Sequence, residues 1–235
     1  MVKDYGILIQ ARMSSARLPG KSLFNLNKNL KVVDAVYLRC SQSLIRDKII
    51  FCISCEPADD VLEEHLNQNG YKYFRGDANN LVKRFHDACL KYKLKGFIRV
   101  TADNPLVDPN VINHFLKLDS NIDFIDGFTA KKLPNGTIVS RISINILKHL
   151  IKYEKANNHL EHVVTSNLIS NRHIPKIKDK WNSPRTRYCL DYIEDYYFLK
   201  KIFKIEKVLD LKTEDLINLY QNSNPENYMY GVKSY

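Results

Sequence analysis

Nowhere in the 235 residues is there an apolar run of the ~18 residues that a membrane-crossing helix requires. The opening "MVKDYG" is charged and leads straight into a short apolar segment, so a soluble, cytoplasmic protein is expected. Internal repeats and low-complexity linkers are also missing, which predicts one domain over residues 1–235. A chain of this length buries roughly 70–75% of the surface its unfolded form exposes, enough for one large core without staples. Cysteine is sparse and odd in number: Cys40, Cys52, Cys55, Cys89 and Cys189 are scattered through apparent core elements, as expected of reduced thiols. Cys52 and Cys55 do make a C-x-x-C, but no second pair or paired histidines follow. A spacing of three in a strand also sends the two side chains to opposite faces, so zinc or redox use is not expected.

Charge of one sign is in deficit. Lysine and arginine number 36 against 26 aspartates and glutamates, a formal +10 that favours anionic partners. Nucleic-acid binders gather such charge into stripes with interleaved aromatics, whereas here it is spread, with modest clusters at "KYKLK", "KIKDK" and "KKIFK". Most of that charge reads as solvated helix faces and loops; by itself it leaves nucleic acid, a membrane surface or a polyphosphate ligand open, and no nucleic-acid or membrane partner is expected.

What is present alternates strand with helix through the first 120 residues. "YGILIQ", "KIIFCIS", "YKYFRG" and "GFIRVTAD" are β-rich and apolar on both faces, the pattern of a parallel sheet covered by helices. Between them, Val32, Val33, Val36, Cys40 and Leu44 fall at near-helical spacing. "EPADDVLEEHL" starts a second helix that stops at Gly70, "ANNLVKRFHDACLKY" a third, and Asp108–Pro109 supplies an N-cap and first-turn proline for "DPNVINHFLKL". After residue 120 the rhythm changes. "DFIDGFTAKKLPNGTIVSRISINIL" predicts a strand, a turn around Pro134, Asn135 and Gly136, and a returning strand, a hairpin-like insertion. Helices are expected at about 143–155 and 159–171, then a strand at "RTRYCLD", then helices from Tyr192 and a polar tail.

The segment "QARMSSARLPGKS" behind the first strand ends like a P-loop, but position 15 is serine where G-x-x-x-x-G-K-[ST] requires glycine. The following "LFNLNKNLK" lacks the helical period that a P-loop needs directly after its lysine. What remains is a loop carrying Arg12, Arg17 and Lys21, with Ser14 and Ser15 as neutral donors and Pro19 and Gly20 turning the chain. Three cations beyond the carboxyl end of a strand, where open α/β sheets bind ligands, suit a triphosphate.

"IQARMSSARLPGKSL" also resembles the signature of the cytidylyltransferases that activate acidic sugars, the CMP-Kdo and CMP-sialic acid synthetases, and most of all the branch named for spore coat polysaccharide biosynthesis protein F. Matches to that family follow in order at "FRGDANNLVKRF", "RVTADNPLVDP", "PNGTIV", "EHVVTSNL" and "RYCLDYIED", covering about residues 5–200. The resemblance implies an α/β, Rossmann-like nucleotide-diphospho-sugar transferase fold, its mostly parallel sheet flanked by helices. It implies a homodimer through an insertion at about 124–170, CTP and an acidic sugar as substrates, and Mg2+ as cofactor. Gln10, Ala11, Arg12, Ser15, Arg17, Lys21 and Asp103 would hold the nucleotide. Arg17, Lys21, Asp103 and Asp191 would be catalytic, with Asp103 and Asp191 as metal ligands. Two aspartates are enough for magnesium, which takes its other ligands from water and phosphates. Asp195 reads as a helix-start residue. Three positions depart from the family: Ser140 stands where a glutamate is expected, Tyr192 where threonine is usual, and Asn104 where close relatives carry cysteine. Glu161 and His162 match it. A uridylyl- or guanylyltransferase of the same fold and a non-catalytic nucleotide-binding module remain alternatives. A glycosyltransferase would place an Asp-x-Asp where "TADNP" has only its first aspartate.

Overall fold

The computed structural model describes residues 4–151 and 171–223. Seven strands form one sheet: β1 Tyr5–Gln10, β2 Ile49–Ser54, β3 Tyr73–Gly76, β4 Gly96–Thr101, β5 Phe124–Asp126, β6 Ser140–Ser143 and β7 Arg172–His173. Their spatial order is β3-β2-β1-β4-β6-β5-β7. Every neighbouring pair is parallel except the two that β6 makes, with β4 and with β5. The described α-helices are α1 Val32–Cys40, α2 Asp60–Gln68, α3 Leu81–Lys91, α4 Pro109–Leu116, α5 Ile144–Leu150, α6 Ile193–Ile202 and α7 Thr213–Asn222. None of the described helices is long and apolar enough to cross a membrane.

The period of two along each central strand divides the core. Ile7, Ile9, Phe51, Ile53, Ile98 and Val100 face one way, against Val33 and Val36 of α1, Leu62 and Leu66 of α2, and Val111 and Phe115 of α4. Leu8, Ile50, Cys52, Phe97 and Ile142 face the other way, against Val82, Phe85 and Cys89 of α3 and Leu147 and Leu150 of α5. A third cluster packs α6 and α7 onto Val32, Ala35 and Leu106 through Tyr188, Leu190, Phe198 and Leu216. Strands buried on both faces explain why the sequence runs are continuously apolar.

Local signals place most elements where expected. Asp108 caps α4, accepting the Asn110 amide at 2.7 Å, and its second oxygen also accepts the Thr213 amide at 2.7 Å, tying α4 to α7. Asn80 caps α3 through the Lys83 amide. All five cysteines are free, and the C-x-x-C is split between a buried Cys52 inside β2 and an exposed Cys55 beyond it. Leu44 is a correction: α1 ends at Cys40, and Leu44 is 58% exposed outside the core it was expected to join. The helix expected at 159–171, with Glu161 and His162, lies almost wholly outside the described residues, as does most of the tail.

The antiparallel pair β5 and β6 forms as the hairpin pattern predicts, and the main sheet takes it in, with β6 seated between β4 and β5. The strand expected at "RTRYCLD" does not form. The segment makes one isolated parallel bridge, Asn135 with Arg187, and its backbone bonds go to two separate partners: Asn135 donates to Thr186 O at 2.8 Å and accepts from Tyr188 at 2.7 Å, while Leu190 donates to Asp103 O at 2.8 Å, so no ladder develops.

Gly136 makes this bracing possible. Its φ is 104°, and a Cβ there would meet the Tyr188 carbonyl carbon at 2.6 Å and the Cys189 nitrogen at 2.8 Å. Gly70 also has a positive φ, 66°, but a Cβ there meets nothing within 4 Å. Gly70→Ala is therefore expected to cost about 1–2 kcal/mol, the left-handed backbone penalty alone. Gly136→Ala should cost at least about 3 kcal/mol, because the strained φ and a backbone collision add. Urea denaturation of both variants measures the difference, and equal costs would refute the close approach.

Candidate active site

At the carboxyl edge of the sheet, β1 and β4 end side by side, Gln10 in register with Thr101. Past their ends lies a cavity of about 650 Å³ lined by Gln10, Ala11, Arg12, Ser15, Arg17, Lys21, Asp103 and Asp191, every site residue expected from the sequence. The rest of its wall includes Leu81 at the start of α3, Phe128, Asn135 and Ile138 from the β5–β6 connection, and Arg99, Asn104 and Cys189. Parallel strands of one sheet point their carboxyl ends the same way, which is how residues far apart in sequence meet here.

The loop after β1 does not open a helix at "GKS". Lys21–Leu23 is a single 3-10 turn, Phe24 is extended, and α1 begins only at Val32. A helix dipole is thus absent directly behind Lys21, and the loop acts through side-chain charge. It is pinned at Met13, whose amide donates to Asp59 Oδ1 at 2.7 Å, while Asp59 Oδ2 accepts the Ser54 amide and hydroxyl at 2.8 and 2.6 Å. Ser15 serves the loop's own shape, its hydroxyl accepting the Leu18 amide at 3.4 Å.

Lys21 is the hub. Its side chain is buried, and the ammonium donates to Asp103 Oδ2 at 2.6 Å, to Leu190 O at 2.7 Å and to Asp191 Oδ1 at 2.9 Å. Burial alone would lower the lysine pKa, but the charges of Asp103 and Asp191 outweigh it and the net shift is upward. Asp103 is further fixed by the Thr101 hydroxyl, 2.6 Å from Oδ1.

Asp191 sits among three cations. Arg17 donates to Oδ1 at 2.7 Å beside Lys21, and Arg187 reaches Oδ2 at 3.3 Å. Burial pushes its pKa up, yet the Lys21 charge and hydrogen bond, followed by Arg17 and Arg187, hold it below the usual carboxylate range. Arg187 makes its stronger bond to Asp195, two contacts of 2.9 Å, and Asp195 Oδ2 in turn accepts the Asp191 and Tyr192 amides at 2.8 and 2.9 Å. Asp195 is thus the helix-start residue expected, shaping the turn at the head of α6. The half-buried Tyr192 ring packs near two guanidinium groups, 5.6 Å from Arg17 and 5.9 Å from Arg187.

Three participants escaped sequence reasoning. Asp59 looked like one more acid in a helix's first turn, and Arg187 like one of many basic residues. Arg99 carried a usable signal, a charge inside the otherwise apolar strand "GFIRVT"; it is 6% exposed, lines the cavity and donates to Gln10 Oε1 at 3.2 and 2.8 Å. Ser140 is buried in β6, paired with Arg99 on one side and Asp126 on the other.

Because Asp191's folded pKa is depressed, its charge stabilises the fold above the ordinary carboxylate range, and that contribution is lost as pH falls through the lowered value. Between about pH 5 and pH 2 the parent's urea midpoint is expected to fall more steeply than that of Asp191→Asn. Parallel slopes for the two proteins would mean that this carboxylate's charge is not coupled to folding.

The chain is 28% identical over 237 residues to the spore coat polysaccharide biosynthesis protein SpsF of Bacillus subtilis, covering 96% of this chain and 97% of that protein. A cytidylyltransferase structure from Leptospira borgpetersenii superimposes with a TM-score of 0.86 at 26% identity, covering 99% of both chains. A CMP-2-keto-3-deoxy-manno-octonic acid synthetase solved with CTP shares the fold at a TM-score of 0.66 and 15% identity, covering 86% of this chain and 98% of that one. A family model described as cytidylyltransferase matches residues 6–223, so the cavity, the cation loop and both aspartates all fall inside the match, and the chain belongs to the cytidylyltransferase family of nucleotidyltransferases.

Proposed function

We propose that this enzyme transfers CMP from CTP to a sugar or sugar-acid acceptor with release of pyrophosphate, in the synthesis of a surface polysaccharide or glycoconjugate, and that it depends on Mg2+. The observation that carries the reading is the convergence of Asp103 and Asp191 on one cation, the Lys21 ammonium, at the wall of a cavity that also holds Arg12 and Arg17. Two carboxylate oxygens that can share one ammonium lie close enough to share a metal ion. Magnesium commonly uses one or two carboxylates and completes its shell with phosphate and water, so this pair is a sufficient protein share of its shell. When bound, it would supply Lewis-acid stabilisation of the phosphate oxygens.

The chain's own part is positioning and charge. The ionised oxygen of an acceptor hydroxyl, its proton lost to solvent, bonds to the α-phosphorus, the bond from that phosphorus to the bridging oxygen breaks, and pyrophosphate leaves with that bond's electron pair. Arg17 is suited to a bidentate grip on phosphate and Lys21 to a point contact, while Arg12 adds a further exposed cation to the cavity wall. Gln10 and Ala11, at the strand end, face the nucleotide. The cavity volume lies within the usual range for a small-molecule site. The polysaccharide context is supported by the name of the Bacillus relative, and cytosine as the base by the family; the CTP-bound fold relative adds to both only at the level of fold. A homodimer contacting through about residues 124–170 belongs to the same proposal. Light scattering at micromolar concentration tests it, and a monomer there would overturn it.

Thermal-shift titration with the four nucleoside triphosphates and magnesium is expected to single out CTP; equal shifts from all four would remove the base assignment. Asp103→Asn and Asp191→Asn should each lower turnover about 10²-fold or more, in line with the ~3 kcal/mol of losing one preorganised electrostatic contact. The double variant should be little slower than either single, since groups acting as a unit are not additive. Near-parental turnover in Asp191→Asn alone would leave that residue a purely structural role.

A further inference from the structure

We propose that Lys21 is the resident counter-ion of the Asp103–Asp191 pair and yields that place to a divalent cation only when a triphosphate arrives to receive its charge, so that metal binding follows nucleotide binding. The proposal rests on the reading of those two aspartates as metal ligands.

The hydrogen-bond inventory argues for it first. An ammonium has three donors, and all three from Lys21 are directed at acceptors within 2.9 Å: Asp103, Leu190 O and Asp191. The side chain is buried, and its ammonium bonds both carboxylates that would hold a shared metal. A divalent ion held by that pair would therefore compete with the ammonium.

The charge balance argues next. Against Asp103, Asp191 and Asp195 stand Lys21 and Arg17 from the β1 loop and Arg187 from the segment before α6. Three carboxylates and three cations balance locally, before the exposed Arg12 on the same cavity wall is added. A metal ion entering alone would meet a site already neutralised and a lysine with nowhere to go. A triphosphate in the cavity changes both conditions, bringing excess negative charge and new acceptors for the ammonium. Lysine suits this transfer, being a compact charge on a flexible stem, whereas the planar fork of Arg187 is locked on Asp195 by two bonds.

Mn2+ affinity, read by electron paramagnetic resonance with and without CTP and with no acceptor present, tests the order. The parent without CTP is expected to bind Mn2+ at least 10-fold more weakly than Lys21→Met without CTP. Adding Asp103→Asn to Lys21→Met should abolish the gain. Lys21→Gln, which keeps an amide donor near Leu190 O, guards against misfolding, and in both variants Mn2+ alone should raise the thermal midpoint while leaving the parent's unchanged. Equal nucleotide-free affinities in the parent and both lysine variants, with Asp103→Asn still weakening Mn2+ binding in the presence of CTP, would overturn the counter-ion role while the metal-site reading stands. If Asp103→Asn leaves Mn2+ binding untouched in every background, the metal-site reading falls and the proposal falls with it.

Discussion

One buried ammonium organises the functional end of this molecule. Asp103 follows β4 and Asp191 precedes α6, and two carboxylates brought together out of water repel unless a cation stands between them. Lys21 supplies it and also bonds the Leu190 carbonyl, so a single side chain joins the loop after β1, the end of β4 and the approach to α6. The upward shift of the lysine and the downward shift of Asp191 are two views of that attraction, which exceeds the desolvation each group suffers.

The backbone around this contact is held by polar groups with little freedom of their own. Asp59 ties the β1 loop to the end of β2, Asp108 joins α4 to α7, and the Arg187–Asp195 pair shapes the turn that presents Asp191. The β5–β6 connection closes the far wall by laying Asn135 and Gly136 against Thr186, Tyr188 and Cys189. Such buried, satisfied polar contacts rigidify a site more than they stabilise it, and rigidity is what positioning chemistry requires. Tyr192, a departure from the family's threonine, fits the same pattern, since its ring contacts the guanidinium groups of both Arg17 and Arg187.

A P-loop holds phosphate with a helix N-terminus and the backbone of a glycine-rich turn. Here the turn after Lys21 is too short to supply that dipole, and Ser15 uses its hydroxyl on the loop itself. The site therefore relies on side-chain charge, and side chains can exchange partners as a backbone dipole cannot. That difference gives the ion pair of Lys21 a consequence for the order of events as well as for structure.

The layered α/β architecture was legible in the residues alone, because doubly buried strands and one-sided helices leave different periodicities that need no tertiary knowledge to see. The same pattern put Arg12, Arg17, Lys21 and Asp103 at one cavity, because the first three follow β1 and Asp103 follows β4, and parallel strands deliver such loops to one edge. The caps of α3 and α4 were legible for the same local reason. Tertiary structure alone decided the rest. "RTRYCLD" has the alternation of a strand, yet its hydrogen bonds are shared between Asn135 and Asp103, a matter of neighbours that no local pattern encodes. Likewise Asp59 and Arg187 resembled ordinary surface charges until packing buried them, and nothing local showed that the fold would set two carboxylates around Lys21. Which charges meet depends on contacts between distant segments, and their energies are fixed by burial and distance, quantities that exist only once the chain has folded.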